Sequence, residues 1–592
     1  MTVYATGVRE TPLTNSGPIA ATGHAWRDRE TLIAAGTTLV GLILWIIGCF
    51  GVHPRNANGW GLASVLPWTI WAGLVITAGG LAWAIHHRLA REQLAGTLVI
   101  FIFQMFGLPP LTEGWARTST AWVHLGFIDQ YATFGESAKN IDARFSWPGF
   151  FSWWGMMTDA VDVHRLAQVA NWWPLACALL TAALVWRLAR ALDVSQRAAW
   201  YAAALVSVLN WIEQDYFSPQ SVGFMLSLAV VTLLLSEPQQ RRGRERAGSL
   251  ILVMFFIGAI VLTHQLTPFM LGSQLVMILI VRRKTRGLKG VWAAIIVLAA
   301  AELTWFVLGA HEFWSGQALK LLTDNFGNVG ASVGVNLTDR IVSVDPGIAA
   351  IRKLRIVYFL FTLLLGGIGL LLRLIASKAG WRLWKAGKSF WLPALLIVAP
   401  FPAVVQSYGG ELFLRVALFA MPVCAVMGGE VLDRLSSWKP KLVFVPIAGL
   451  AALACTLVLV RGGNDGFAYI SGDEVKIVDA AVAATPREGI LMFAMDQGPE
   501  RPEAVTTIQW GSVGGVCGEN ANLSDCAATQ NAATVVVTRS MVKWGELGEG
   551  RPADWAQVEV TKLVADGYYR VLTQNRDGIV LVRTSTGEVT TN

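Results

Sequence analysis

The sequence predicts an α-helical protein that crosses a membrane about thirteen times and carries a small α/β domain at its C-terminal end. Three observations lead there. Apolar runs of about 18 residues or more recur along most of the chain, each long enough to span roughly 30 Å of hydrocarbon. The 592 residues are 54% hydrophobic and 15% charged, whereas a soluble domain carries about 25% charge. From Gly462 to Asn592 the composition turns into that of a soluble protein.

The elements follow in order. Residues 1–30 are polar, contain Arg27 and Arg29, and read as a loose cytoplasmic arm with no cleavable signal. Spanning helices are predicted within 31–461, at about 31–51, 62–85, 93–111, 170–192, 198–213, 220–236, 247–263, 268–282, 289–309, 356–375, 390–407, 414–433 and 441–460. Basic clusters mark alternate loops: His86 to Arg91, Arg187 to Arg197, Arg241 to Arg246, Arg282 to Lys289, Lys378 to Lys388, and Arg434 to Lys441. Such loops stay cytoplasmic. The N-terminus is then inside and the C-terminal domain outside, with Arg352, Lys353 and Arg355 as the exception on the outer side. The net charge of +7 belongs to this topology and does not point to nucleic acid.

Two outer loops are long, 112–169 and 310–355. The first holds Trp115, Trp122, Trp147, Trp153 and Trp154, and interface anchoring, rather than sugar stacking, is the simplest role for most of them. In 462–592, strands are predicted at Ile490–Ala494, Thr534–Thr538 and Ile579–Arg583, and helices at Val475–Ala484 and Trp555–Ala565. Cys517 and Cys526 lie in this region, and outside the cell they form a disulfide. The other four cysteines fall in apolar segments.

The conspicuous polar residues gather on the outer side, which is the pattern of a site rather than of a pore lining. The first loop supplies His124, Asp129, Asp142 and Arg144. A carboxylate held near lipid has its pKa raised toward the working range of a general base. The run Asn210 to Gln220 holds Glu213, Asp215 and Tyr216. Pro219 starts the next helix, so the run is a tight hairpin that presents Glu213, Asp215, Tyr216 and Gln220 at the surface. A second hairpin carries His264 and Gln265. Arg415 stands just inside an apolar helix and needs Glu411 or an external anion as partner. Guanidinium suits a lipid phosphate, and Arg352 and Arg355 are rivals for that role. Asp129, Asp142, Glu213, Asp215 and His264 are also of the types that hold a divalent ion, although their spacing lends no support.

The layout and three runs, DARFSWPGFF from Asp142, DYFSPQ from Asp215 and HQLTP from His264, resemble actinobacterial members of the GT-C superfamily of membrane glycosyltransferases. The resemblance covers about 93–460. It implies a GT-C-like fold, a polyprenyl-phosphate sugar donor, an acidic residue of the first loop as base, and an acceptor glycan, lipid or protein of the cell envelope outside the plasma membrane. Two helices precede the loop-bearing one, and the paired acids common in that loop elsewhere are absent. Asp129 and Asp142 therefore compete for the base, with Asp129 favoured by its closeness to the preceding helix. The rival readings are a transporter or lipid flippase, which needs ionisable residues at mid-membrane, and a non-catalytic envelope assembly protein. Convergence of Asp129 or Asp142 with Asp215 and His264 on one outward cavity favours the enzyme.

Overall fold

The computed structural model describes residues 29–584 apart from 159–162, 237–243, 284–287, 316–343, 381, 402–411, 439 and 519–520. A helix stands at each of the predicted spans. Among the described residues, nine helices are long and apolar enough to cross a membrane. Arg91–Phe106, Gln196–Val208, Thr267–Arg282 and Lys388–Val398 are shorter than a span.

Large apolar side chains point outward from these helices, among them Ile251, Ile296, Leu303, Leu364 and Phe444. In water such a surface would be costly; in lipid it matches its solvent. The chain is a multi-pass membrane protein. Small residues let its helices close up, as membrane interfaces require. A Cβ on Gly369 would lie 2.5 Å from the Met427 carbonyl, and one on Gly429 2.4 Å from that of Ala198. At the end of the bundle remote from the C-terminal domain, Arg197 pairs with Asp433, and Arg373 holds Glu430 at 2.6 Å.

The first long loop is folded. It contains helices Ser119–Phe134 and Gly149–Thr158 around Trp122, Phe127, Phe145, Phe150 and Phe151. Interface anchoring is thus corrected for part of its tryptophans. Trp122 and Trp147 are buried in protein, and Trp153 is the one of the five that is mostly exposed. Burying an aromatic of this size stabilises the loop without lipid.

The C-terminal part carries one five-stranded sheet in the order β2-β1-β3-β5-β4. Its strands are β1 Ile490–Phe493, β2 Gln509–Ser512, β3 Thr534–Thr538, β4 Tyr569–Asn575 and β5 Gly578–Arg583. β2, β1 and β3 run parallel, and β5 and β4 add as an antiparallel hairpin. Every residue of β3 is buried, as a central strand covered on both faces must be. Helices Gly472–Ala484 and Trp555–Ala565 lie where the pattern predicts them. The first opens with a capping box between Ser471 and Glu474. A disulfide joins Cys517 and Cys526.

This unit is clamped to the membrane part. Arg55 pairs with Asp577, and Arg539 donates to the Arg55 carbonyl at 2.9 Å. Gly126, in the first loop, allows a close approach: a Cβ there would lie 2.0 Å from the Arg501 carbonyl. The N-terminal arm, most of the second long loop and Glu411 lie outside the described residues.

Candidate functional site

The hairpin between Gln196–Val208 and Pro219–Ser236 organises the site. Ser218 accepts from the Ser221 N–H and Pro219 opens the second helix, a capped start with proline where no amide is needed. The turn itself is tight. Glu213 sits at φ 57°, a left-handed conformation that costs a side-chain residue energy and tends to persist where surroundings fix it. Arg117 and Arg355 fix it here. Arg117 donates to Glu213 Oε1 and Arg355 to Oε2, both at 3.1 Å.

Two residues expected at the surface are not there. Asp215 and Gln220 are buried. Asp215 takes a 2.9 Å bond from Arg461 and another from Asn210, while Arg461 also donates to the Asn210 carbonyl at 3.0 Å. The hairpin turned inward because a cation at the end of helix Phe444–Arg461 satisfies its acid. Glu213 and Tyr216 stay half-exposed.

A cavity of about 560 Å³ opens beside them. The first loop contributes Arg117 and Arg144, the hairpin Glu213 and Tyr216, the Pro346–Ala376 helix Arg355, and the C-terminal part Asp465, Asp496, Glu500 and Arg501. Four arginines and four carboxylates thus face one space at the end of the bundle that carries the C-terminal domain. Arg117 holds Asp465 with two bonds of 3.0 Å. Arg501 lies 3.2 Å from Glu500. Burial raises the Glu500 carboxyl above its usual range, against the pull of Arg501.

Around this cavity the polar stretches of the sequence meet, though not all within its lining. His124 donates from Nδ1 to the Phe217 carbonyl, 3.0 Å away, and its ring stacks on Tyr216 at 5.8 Å. Burial, and then Arg144, lowers its pKa to about 3, so it is neutral. His264 bonds Thr267 at 2.9 Å; burial, then Arg415 and His124, push it well below the usual histidine range. Arg415 itself is buried. Gln265 is half-buried in the same turn, and Arg352 lies one turn of helix before Arg355.

Asp129 and Asp142 stand beside the cavity. Asp142 receives the Arg144 backbone N–H and two guanidinium bonds of 2.9 and 2.7 Å, which hold its carboxyl below the usual range despite burial. Asp129 receives the Ala504 N–H at 3.4 Å, and burial raises its carboxyl. Among the described residues no three His, Cys, Asp or Glu side chains gather in metal-ligand geometry. Asp129, Asp142, Glu213, Asp215 and His264 are not brought together as a set.

Arg117, Asp465, Glu500 and Arg501 were missed as site residues. Their signal is spatial, since the chain brings residues 348 positions apart into a bidentate pair. Glu113 adds to this buried cluster, its carboxyl raised well above normal by burial and by Asp465. One hint was legible: an acid and an arginine directly after an apolar helix, and an aspartate directly after the last one.

No protein-family model matches the chain, and no curated protein matches it in sequence. Solved structures give partial likenesses. An oligosaccharyltransferase of Archaeoglobus fulgidus in complex with zinc and sulfate is 13% identical, with a TM-score of 0.49 over 83% of this chain and 73% of that one. The same organism's AglB, in complex with an inhibitory peptide and a dolichol-phosphate, gives 12% and 0.47 over 81% and 73%. ArnT from Cupriavidus metallidurans bound to undecaprenyl phosphate gives 11% and 0.48 over 84% and 99%.

Proposed function

We propose that the protein is a membrane glycosyltransferase that moves a sugar from a polyprenyl-phosphate-linked donor to an acceptor outside the cytoplasm, with inversion. The observation that carries this reading is the mixed-charge cavity at the membrane-proximal joint of bundle and C-terminal domain. By the loop charges, that joint is expected on the outer face. An anionic lipid headgroup reaches it from the bilayer along the Pro346–Ala376 helix, which bears Arg355 at the cavity. Guanidinium groups bind phosphate in a planar, two-pronged way.

A carboxylate takes the proton of the acceptor hydroxyl as its oxygen attacks the anomeric carbon. The bond from that carbon to the phosphate oxygen breaks, and the departing lipid phosphate is steadied by Arg355 and Arg117. Glu500 joins a place in the lining with a raised pKa, which suits the base. Asp129 has the raised pKa behind the 504 backbone, and Asp142 positions Arg144. Glu213 holds Arg117 and Arg355 in register.

The experiment is transfer of labelled sugar from polyprenyl-phosphate donors by the purified, detergent-solubilised chain. Glu500→Gln, Asp129→Asn, Asp142→Asn and Glu213→Gln run in parallel. Transfer lost with one of the first three names the base. Folded protein that transfers no sugar from any such donor refutes the reading.

A further inference from the structure

A second cavity, of about 400 Å³, lies on the other side of Arg501. Its volume falls within the roughly 300–1,000 Å³ of ligand sites. Phe127 and Ile141 of the first loop form one wall, and Glu488, Gln509 and Trp510 of the C-terminal part form the other. Arg501 lines both cavities. The segment from Asp496 to Trp510 is thus a partition, with the charged cavity on one face and this cleft on the other.

The partition is built stiffly. Arg501 and Ala504 adopt φ 50° and 54°, and Glu488 adopts φ 62°. The Glu488 N–H donates to the Thr507 carbonyl at 2.8 Å, Thr506 donates to Gln130 at 2.8 Å, and the loop seats on Gly126. Non-glycine residues held at positive φ persist where the surroundings over-determine them, and they cluster at ligand sites.

The lining chemistry is unlike that of the first cavity. The cleft's single arginine is Arg501, which Glu500 already holds, whereas the first cavity gathers four. Trp510 offers a flat apolar ring whose edge is fixed by a T-shaped contact with Phe493 at 5.7 Å. Ile141 is nearly half exposed, at 48%. Around these stand a free-ending amide, a carboxylate and a guanidinium, all planar groups that bind hydroxyls in pairs. Flat apolar patches ringed by planar hydrogen-bonding groups are complementary to a neutral sugar, which has apolar C–H faces and a rim of hydroxyls.

We infer that this cleft is the acceptor subsite and that the acceptor is a neutral oligosaccharide, its terminal sugar passing Arg501 into the charged cavity. The inference rests on the glycosyltransferase reading and narrows it from glycan, lipid or protein to glycan.

The test is binding, read apart from catalysis. The full chain in detergent, fluorescently labelled, is applied to an array of neutral di- to hexasaccharides and to a peptide panel. Donor hydrolysis by water, with no acceptor present, reports on the transferase reading independently. The expected result is capture by one class of neutral oligosaccharide, weakened about tenfold or more, that is by about 1.4 kcal/mol, in Gln509→Ala and Trp510→Ala. Gln509 and Glu488 are exposed, so Gln509→Ala and Glu488→Gln keep the fold even where Trp510→Ala does not. No oligosaccharide bound by folded protein, capture of peptides instead, or binding indifferent to Gln509→Ala and Glu488→Gln overturns the inference. It does so whether or not donor hydrolysis is seen.

Discussion

Asp215→Ala is expected to destabilise the protein severely, for a reason that can be worked from the hairpin. Asp215 and Arg461 are each only 8% exposed at the side chain and 2.9 Å apart. Removing the acid leaves a buried guanidinium with the Asn210 carbonyl and the face of Phe106, 4.7 Å away. It also strands the Asn210 amide, which donates to Asp215 at 2.9 Å. Breaking a buried pair from one side costs about 3–5 kcal/mol, and an unmet buried donor adds about 1–3 kcal/mol. An overall loss of about 4 kcal/mol or more is therefore expected. Arg461→Met alone strands the carboxylate and costs a similar amount. The double variant removes both charges and is expected to recover about 2 kcal/mol relative to the sum. Equilibrium unfolding in SDS, followed on the detergent-solubilised chain, measures all three. A loss below about 1 kcal/mol for Asp215→Ala, or strict additivity, refutes the buried-pair argument and returns Asp215 to a substrate-binding role.

Further outcomes follow from other contacts. Gly126→Val drives the 501 backbone off the first loop, because even a Cβ lies 2.0 Å from the Arg501 carbonyl; sugar transfer is expected to fall about tenfold or more, for a barrier increase of roughly 1.4 kcal/mol, while the helical CD signal is kept. A base must be deprotonated, and burial raises Glu500. Activity is therefore expected to decline on acidification at a pH above the ordinary glutamate value of about 4.3, and a pH profile unchanged in Glu500→Gln at measurable rate excludes it as base. Cys526→Ala opens a disulfide of sequence separation 9, with an expected loss of about 2.5 kcal/mol by loop entropy, seen as a lower melting point of the purified chain. In intact cells, a membrane-impermeant maleimide is expected to label Cys517 and Cys526 only after reduction; labelling solely in lysed cells refutes the outer placement.

The bundle was legible because its signals are local. Apolar runs of spanning length and alternating basic loops need only a sliding window, and helices stand where those runs lie. The same holds for β3 and for the capped helix from Gly472, whose Ser471 and Glu474 are three residues apart. β2 escaped because Gln-Trp-Gly-Ser is short and glycine-bearing. β4 escaped because Tyr569–Asn575 is mostly solvent-facing. At the site, the hairpin at Glu213 was found but its inward half was not. Arg461 is 246 residues from Asp215, and no local pattern announces a partner at that distance. The wall from Asp496 to Arg501 was invisible for the same reason: only docking on Gly126 brings it to the cavity.

Every arginine in the charged cavity already has a carboxylate. Arg117 has Glu213 and Asp465, Arg355 has Glu213, Arg144 has Asp142, and Arg501 has Glu500. On the proposed reading, an incoming phosphate enters by exchange, taking a guanidinium from an acid rather than filling a vacancy. On that reading, headgroup capture breaks an existing ion pair, so its affinity reflects the strength of that pair as well as the lipid on offer.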